Sequence, residues 1–154
     1  RSSLTNPITG LSEKQLLIET IEEKLQKGKF GIILVNIHKL DDFRNQNGFV
    51  AANELQRNIA MILKETFSSS EDQPFLSQWG NSNMILLTKA ELLDASEKLI
   101  YQTLFSKLDK IYPWRENQAE RIDQQLGIRI YKKSINPQFE SLQKIIMDME
   151  RLFQ

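Results

Sequence analysis

The chain has 154 residues, with 20 basic and 20 acidic side chains that cancel to a formal net charge of zero, and 40% of it is apolar. That length fits one domain with a substantial core, and the balanced charge leaves no basic footprint for nucleic acid. With no cysteine, one histidine and no run near the ~20 apolar residues of a membrane span, the composition excludes disulfides, thiolate metal sites and a spanning helix, and it offers little for a Ser-His-Asp triad; no membrane contact is expected of this domain itself.

In chain order, Asn6-Pro7-Ile8-Thr9-Gly10-Leu11 reads as a turn with an apolar anchor on either side. Ser12-Glu13-Lys14-Gln15 has capping-box form and opens a first helix over 12–27, with Leu17, Ile18, Ile21 and Leu25 at helical spacing and Gly28 as its stop. Phe30-Gly31-Ile32-Ile33-Leu34-Val35-Asn36-Ile37 is almost continuously apolar and β-branched, which predicts a strand buried on both faces at the centre of its sheet. Residues 39–47 predict a helical turn or two, ended near Gly48. A long helix then spans 49–67, with Ala52, Leu55, Ile59, Ile62 and Leu63 on one face.

Ser68-Ser69-Ser70-Glu71-Asp72-Gln73-Pro74 is a loop by composition. A hairpin follows, with strands near 75–79 and 83–88 and its tip at Gly80-Asn81, because Gly and Asn accept positive φ. A third long helix is predicted over 91–112, with Leu92, Leu99, Thr103, Leu104, Leu108 and Ile111 inward and Pro113 as its stop. After a polar connection at 114–120, Gln125-Leu126-Gly127-Ile128-Arg129-Ile130-Tyr131 alternates as a strand. Asn136-Pro137 opens a last helix bearing Phe139, Leu142, Ile145, Ile146 and Met149. The predicted order is an α/β (α+β) domain: a ferredoxin-like β-α-β-β-α-β core with a helix added at each end.

Several of these segments resemble the motifs of GGDEF domains, the diguanylate cyclases of bacterial cyclic di-GMP signalling. Asn6-Pro7-Ile8-Thr9-Gly10-Leu11 resembles their opening D-x-L-T-G-L motif, and Ile33-Leu34-Val35-Asn36-Ile37-His38-Lys39-Leu40 their strand-end L-D-x-D-x-F. Phe43-Arg44-Asn45-Gln46-Asn47-Gly48-Phe49 is similar to I-N-D-x-x-G-H, and Ala52-Asn53-Glu54-Leu55 to G-D-x-L. Gln78-Trp79-Gly80-Asn81-Ser82-Asn83-Met84 stands where R-x-G-G-D-E-F would, Leu126-Gly127-Ile128 where S-x-G-I would, and 142–153 resembles a shortened A-D-x-A-L-Y helix.

The resemblance implies a nucleotide-cyclase-like fold whose sheet is mostly antiparallel and flanked by helices. It also implies a site in which two GTP-loaded domains face each other, with magnesium held by the first strand-end aspartate and a hairpin acid. Here those positions are Asn36, Ser82 and Asn83, and each replacement removes a full charge from a hard-cation shell. One such contact is worth roughly 4 kcal/mol at an effective dielectric near 20, on the order of a thousandfold in rate. The guanine and ribose contacts of the family fall on Arg44 and Asn53, the second hairpin glycine on Asn81 beside the retained Gly80, and the second strand-end acid on His38. The inhibitory R-x-x-D motif falls on the window from Glu71 to Pro74, with no arginine to fork onto phosphate.

The expectation is a degenerate GGDEF-like domain over 1–154 with no catalytic residue, no metal and no cofactor, and Arg1-Ser2-Ser3 reads as the cut edge of a longer multidomain signalling protein. Its location would be cytoplasmic, including as the cytoplasmic part of a membrane-anchored protein. Its partner would be another protein or a neighbouring domain of the same chain, with self-association into a homodimer. A second class stays open, a non-catalytic receptor for GTP or cyclic di-GMP. Simpler readings stand beside the sharper ones: His38 as a hydrogen-bonded structural histidine, Asp41-Asp42 as solvated acids, Ser82 as a hydroxyl without a base. Lys132-Lys133, just past its strand, reads as a solvated edge, and Trp79 and Trp114 as core or half-buried residues.

Overall fold

The computed structural model describes residues 5–111 and 126–153. The helices are α1 (Lys14–Lys27), α2 (Leu40–Asn47), α3 (Phe49–Thr66), α4 (Leu93–Ile111, after a 3₁₀ turn Ala90–Leu92) and α5 (Leu142–Leu152). The strands are β1 (Phe30–His38), β2 (Phe75–Trp79), β3 (Asn83–Lys89) and β4 (Gly127–Ile135). They form one sheet in the order β2-β3-β1-β4, and every strand pairing in it is antiparallel. The core is the expected β-α-β-β-α-β arrangement, framed by α1 and α5. Pro113, Trp114, the connection 114–120 and the side chain of Ile111 lie outside the described residues.

The near-continuous apolar run of β1 serves two layers at once. Alternate side chains point to opposite faces, so Ile33, Val35 and Ile37 enter the core with α3 and α4. Phe30, Ile32 and Leu34 enter the second core, with Leu17 and Ile21 of α1 and Ile145 and Met149 of α5. Burying each such side chain is worth about 1.5–3 kcal/mol, and the central strand contributes three of them to each layer.

Two helix boundaries and one helix face differ from the sequence expectation, each for a local reason. Ser12 is not an N-cap: its carbonyl accepts a hydrogen bond from the Gln78 amide at 2.7 Å and it bridges Ser77 in parallel fashion. That extended backbone delays α1 to Lys14, with Glu13 at the cap position making no side-chain bond. The inner face of α4 is Leu93, Ile100, Leu104 and Leu108, while Leu99 is 40% exposed. The phase is set by Leu93, which packs so tightly on β1 that a Cβ at Gly31 would lie 2.7 Å from its Cδ1. The last helix starts at Leu142 rather than at Asn136-Pro137, because Asn136 closes a turn of its own, its carbonyl accepting from the Phe139 and Glu140 amides. Ser141 then caps α5 through its Oγ, 3.2 Å from the Lys144 amide, and Phe139 stays exposed.

Strand β4 is longer than expected and contains Lys132 and Lys133. Lys132 pairs with Asp94 and Glu97 of the α4 side, both at 2.9 Å, and these hydrogen bonds push its pKa up to about 12. Lys133 reaches the opposite face, to Asp148 at 2.8 Å and Glu140 at 3.4 Å. The two lysines clip helices to both sides of the edge strand. Trp79 is buried, edge-on to Phe153 with ring centres 5.1 Å apart, and Lys14 lies 4.4 Å over its ring.

Candidate functional site

The hairpin connects β2 to β3 through the pair Trp79↔Asn83, leaving Gly80, Asn81 and Ser82 as its tip. Gly80 has φ +68°, a conformation that a side chain would strain. Each tip carbonyl has its own internal donor. Gln78 Nε2 donates to Gly80 O at 2.7 Å, Gln56 Nε2 of α3 donates to Asn81 O, and the Ile37 amide donates to Ser82 O at 2.7 Å. The tip is therefore held from three sides: its own strand, the central strand and the long helix.

Register places Asn36 of β1 directly across from Asn83 of β3. Their side chains meet, with Asn36 Nδ2 donating to Asn83 Oδ1 at 2.7 Å, and Asn83 is buried. A neutral amide pair satisfies itself here; two carboxylates at this separation would need a cation between them or a shared proton. Among the described residues there is no group of three or more His, Cys, Asp or Glu side chains able to hold a metal ion.

The remaining predicted positions lie apart from this pair. His38, two residues further along β1, sits with Nε2 3.0 Å from Arg129 Nη2. Its pKa is lowered first by burial, then by the charges of Arg129 and Lys39, with Asp42 opposing them. A neutral imidazole accepting from a guanidinium accounts for all of these contacts. Arg44 turns back onto its own helix and pairs with Asp41 at 2.6 Å, Asp42 pairs with Lys39 at 3.7 Å, and both acids are solvated. Asn53 is half-buried on α3. Glu71 is exposed in the loop before β2 and Pro74 is buried. Between them Asp72 pairs with Lys89 at 2.8 Å and raises the pKa of that lysine.

Reading the sequence missed four residues that organise this region: Thr9, Gln56, Gln78 and Arg129. Gln56 had a readable signal, being a polar residue at an inward position of a helix whose neighbours Leu55 and Ile59 are core. It is only 1% exposed, and its Oε1 finds no hydrogen-bond partner among the described residues.

A family model described as the diguanylate cyclase GGDEF domain matches residues 3–149. No curated protein matches the chain. Among solved structures, the chain is similar to the GGDEF domain of FimX from Pseudomonas aeruginosa at 12% identity, covering 97% of this chain and 91% of that one, with TM-score 0.70. It is similar to apo LapD from Vibrio cholerae, an S helix-GGDEF-EAL protein, at 10% identity and TM-score 0.70. The match covers 97% of this chain and 33% of that one, so the chain spans about a third of that S helix-GGDEF-EAL chain. The GGDEF domain of DgcB from Caulobacter crescentus, in complex with c-di-GMP, matches at 12% identity over 99% of this chain and 89% of that one, with TM-score 0.63. The chain belongs to the GGDEF domain family.

Proposed function

We propose that this GGDEF domain does not turn over GTP and acts as a regulatory, protein-interacting module in cyclic di-GMP signalling. The observation that carries the reading is the hydrogen bond between Asn36 and Asn83, at positions where the family resemblance calls for magnesium-binding acids. The donor set does not fit a divalent cation. It offers two amides that bond each other and a Ser82 carbonyl already committed to the Ile37 amide, and hard cations take anionic oxygen. Phosphoryl transfer is positioning plus charge neutralisation, so a chain lacking both acids has no means to stabilise the transferring phosphoryl. The partner in this proposal is another protein or a neighbouring domain of the same polypeptide, with self-association as one form of it.

A second reading, a receptor that binds GTP or cyclic di-GMP without chemistry, draws support from the similar structures that are c-di-GMP complexes. Against it stand the Glu71–Pro74 window without arginine and the engagement of Arg44 by Asp41. Calorimetric titration separates the two. The module reading expects no heat of binding from cyclic di-GMP or from GTP with magnesium, and micromolar binding of either establishes the receptor.

A further inference from the structure

The turn Asn6-Pro7-Ile8-Thr9-Gly10-Leu11 is far from the hairpin tip in sequence but is joined to it by a chain of hydrogen bonds whose central contact is buried. Within the turn, Asn6 Oδ1 accepts from the Ile8 and Thr9 amides at 2.9 and 3.0 Å, and the Asn6 amide donates to Leu11 O at 2.7 Å. From there the Thr9 hydroxyl donates to Gln78 Oε1 at 3.1 Å, and the same side chain donates through Nε2 to Gly80 O. Thr9 and Gln78 are 7% and 1% exposed. A parallel main-chain link, from the Gln78 amide to Ser12 O, runs beside it, and Lys64 Nζ of α3 holds Thr9 O at 3.2 Å.

We infer that the Thr9–Gln78 contact is a latch through which the turn Asn6-Pro7-Ile8-Thr9-Gly10-Leu11 sets the conformation of the hairpin tip, and through it the Asn36–Asn83 pair. Each link is directional, and the central contact, between Thr9 and Gln78, is buried. Gln78 is fixed as acceptor toward Thr9 because its amide nitrogen is committed to Gly80, and a buried polar group that loses its partner has no water to replace it. A pull or rotation at the turn therefore releases Gly80 O first, then the tip that Ile37 and Gln56 hold from the other sides. A conformational input needs a physically connected element with two arrangements, and a latched or unlatched hairpin supplies one. The inference holds whether or not the domain retains catalysis, since none of the residues in the latch belongs to the amide pair.

The test is residue-resolved hydrogen exchange on the full chain for the wild type, Thr9→Val and Thr9→Ser. Val keeps the shape and removes the hydroxyl; Ser keeps the hydroxyl. Thr9→Val should speed exchange about tenfold, the loss expected of one buried hydrogen bond, at the amides of Gln78 and Ile37. Exchange at Ile59 and Leu104, in the cores of α3 and α4, should not change, and Thr9→Ser should follow the wild type. Unchanged exchange at Ile37, or an equal rise at all four sites, overturns the latch. If Thr9→Val proves too unstable to measure, Gln78→Leu gives the same readout at Ile37 from the other end of the contact.

Discussion

The double substitution Asn36→Asp, Asn83→Asp probes the site most sharply, because the two single changes should behave so differently from their sum. In Asn83→Asp the new carboxylate accepts directly from Asn36 Nδ2, the donor already aimed at it at 2.7 Å. In Asn36→Asp, Asn83 needs only to turn its amide to donate in the opposite sense. Each single variant should stay within about 1 kcal/mol of wild type. The double variant places two carboxylates about 4 Å apart near a buried side chain, where an effective dielectric near 20 gives roughly 4 kcal/mol of repulsion. The repulsion raises the folded-state pKa of the pair above the unfolded value near 4. Full stability is then present below that unfolded pKa and is lost as pH rises through the raised one. Urea unfolding of the four proteins at neutral and mildly acidic pH gives the coupling energy directly. The predicted outcome is a strongly non-additive loss at neutral pH that shrinks in acid and is partly reversed by magnesium. Additive effects without dependence on pH or magnesium would refute the facing geometry of Asn36 and Asn83.

Two further outcomes follow from the packing and the charges. His38 is the single histidine of the chain, so an NMR titration reads it without ambiguity: it should lose its proton below its ordinary pKa of 6.5. Arg129→Ala, which removes the nearest cation, should move that midpoint upward, and no movement would mean that Arg129 does not depress it. Gly31→Ala should cost about 1–3 kcal/mol by overpacking, because the added methyl would meet Leu93 at 2.7 Å. A thermal unfolding midpoint equal to wild type would show that α4 can slide away from β1.

The architecture was readable because its signals were redundant. The run from Phe30 to Ile37 could only be a doubly buried strand, and Gly80-Asn81 between two apolar runs could only be a turn. The boundaries that moved were those where a local signal competed with a tertiary one. Ser12 has the chemistry of a cap, yet its backbone was drawn into pairing with β2. The inward phase of α4 follows from the missing side chain of Gly31 on another element, which no helical periodicity records. The site was legible as a set of residue types but not as a set of contacts. That Asn36 and Asn83 bond each other depends on the β1–β3 register, and that Gln56 and Gln78 hold the tip depends on how α3 and the N-terminal turn pack. His38 and Arg44 belong by motif to the same site, but each is satisfied locally, by Arg129 and by Asp41.

The proposed loss of catalysis means that the chain makes no product from GTP. Incubating the purified domain with GTP and magnesium, at concentrations high enough to favour pairing of two copies, and separating the nucleotides chromatographically tests it most directly. GTP should be recovered unchanged with no cyclic di-GMP formed; accumulation of cyclic di-GMP in proportion to protein and time would contradict the proposed loss of catalysis.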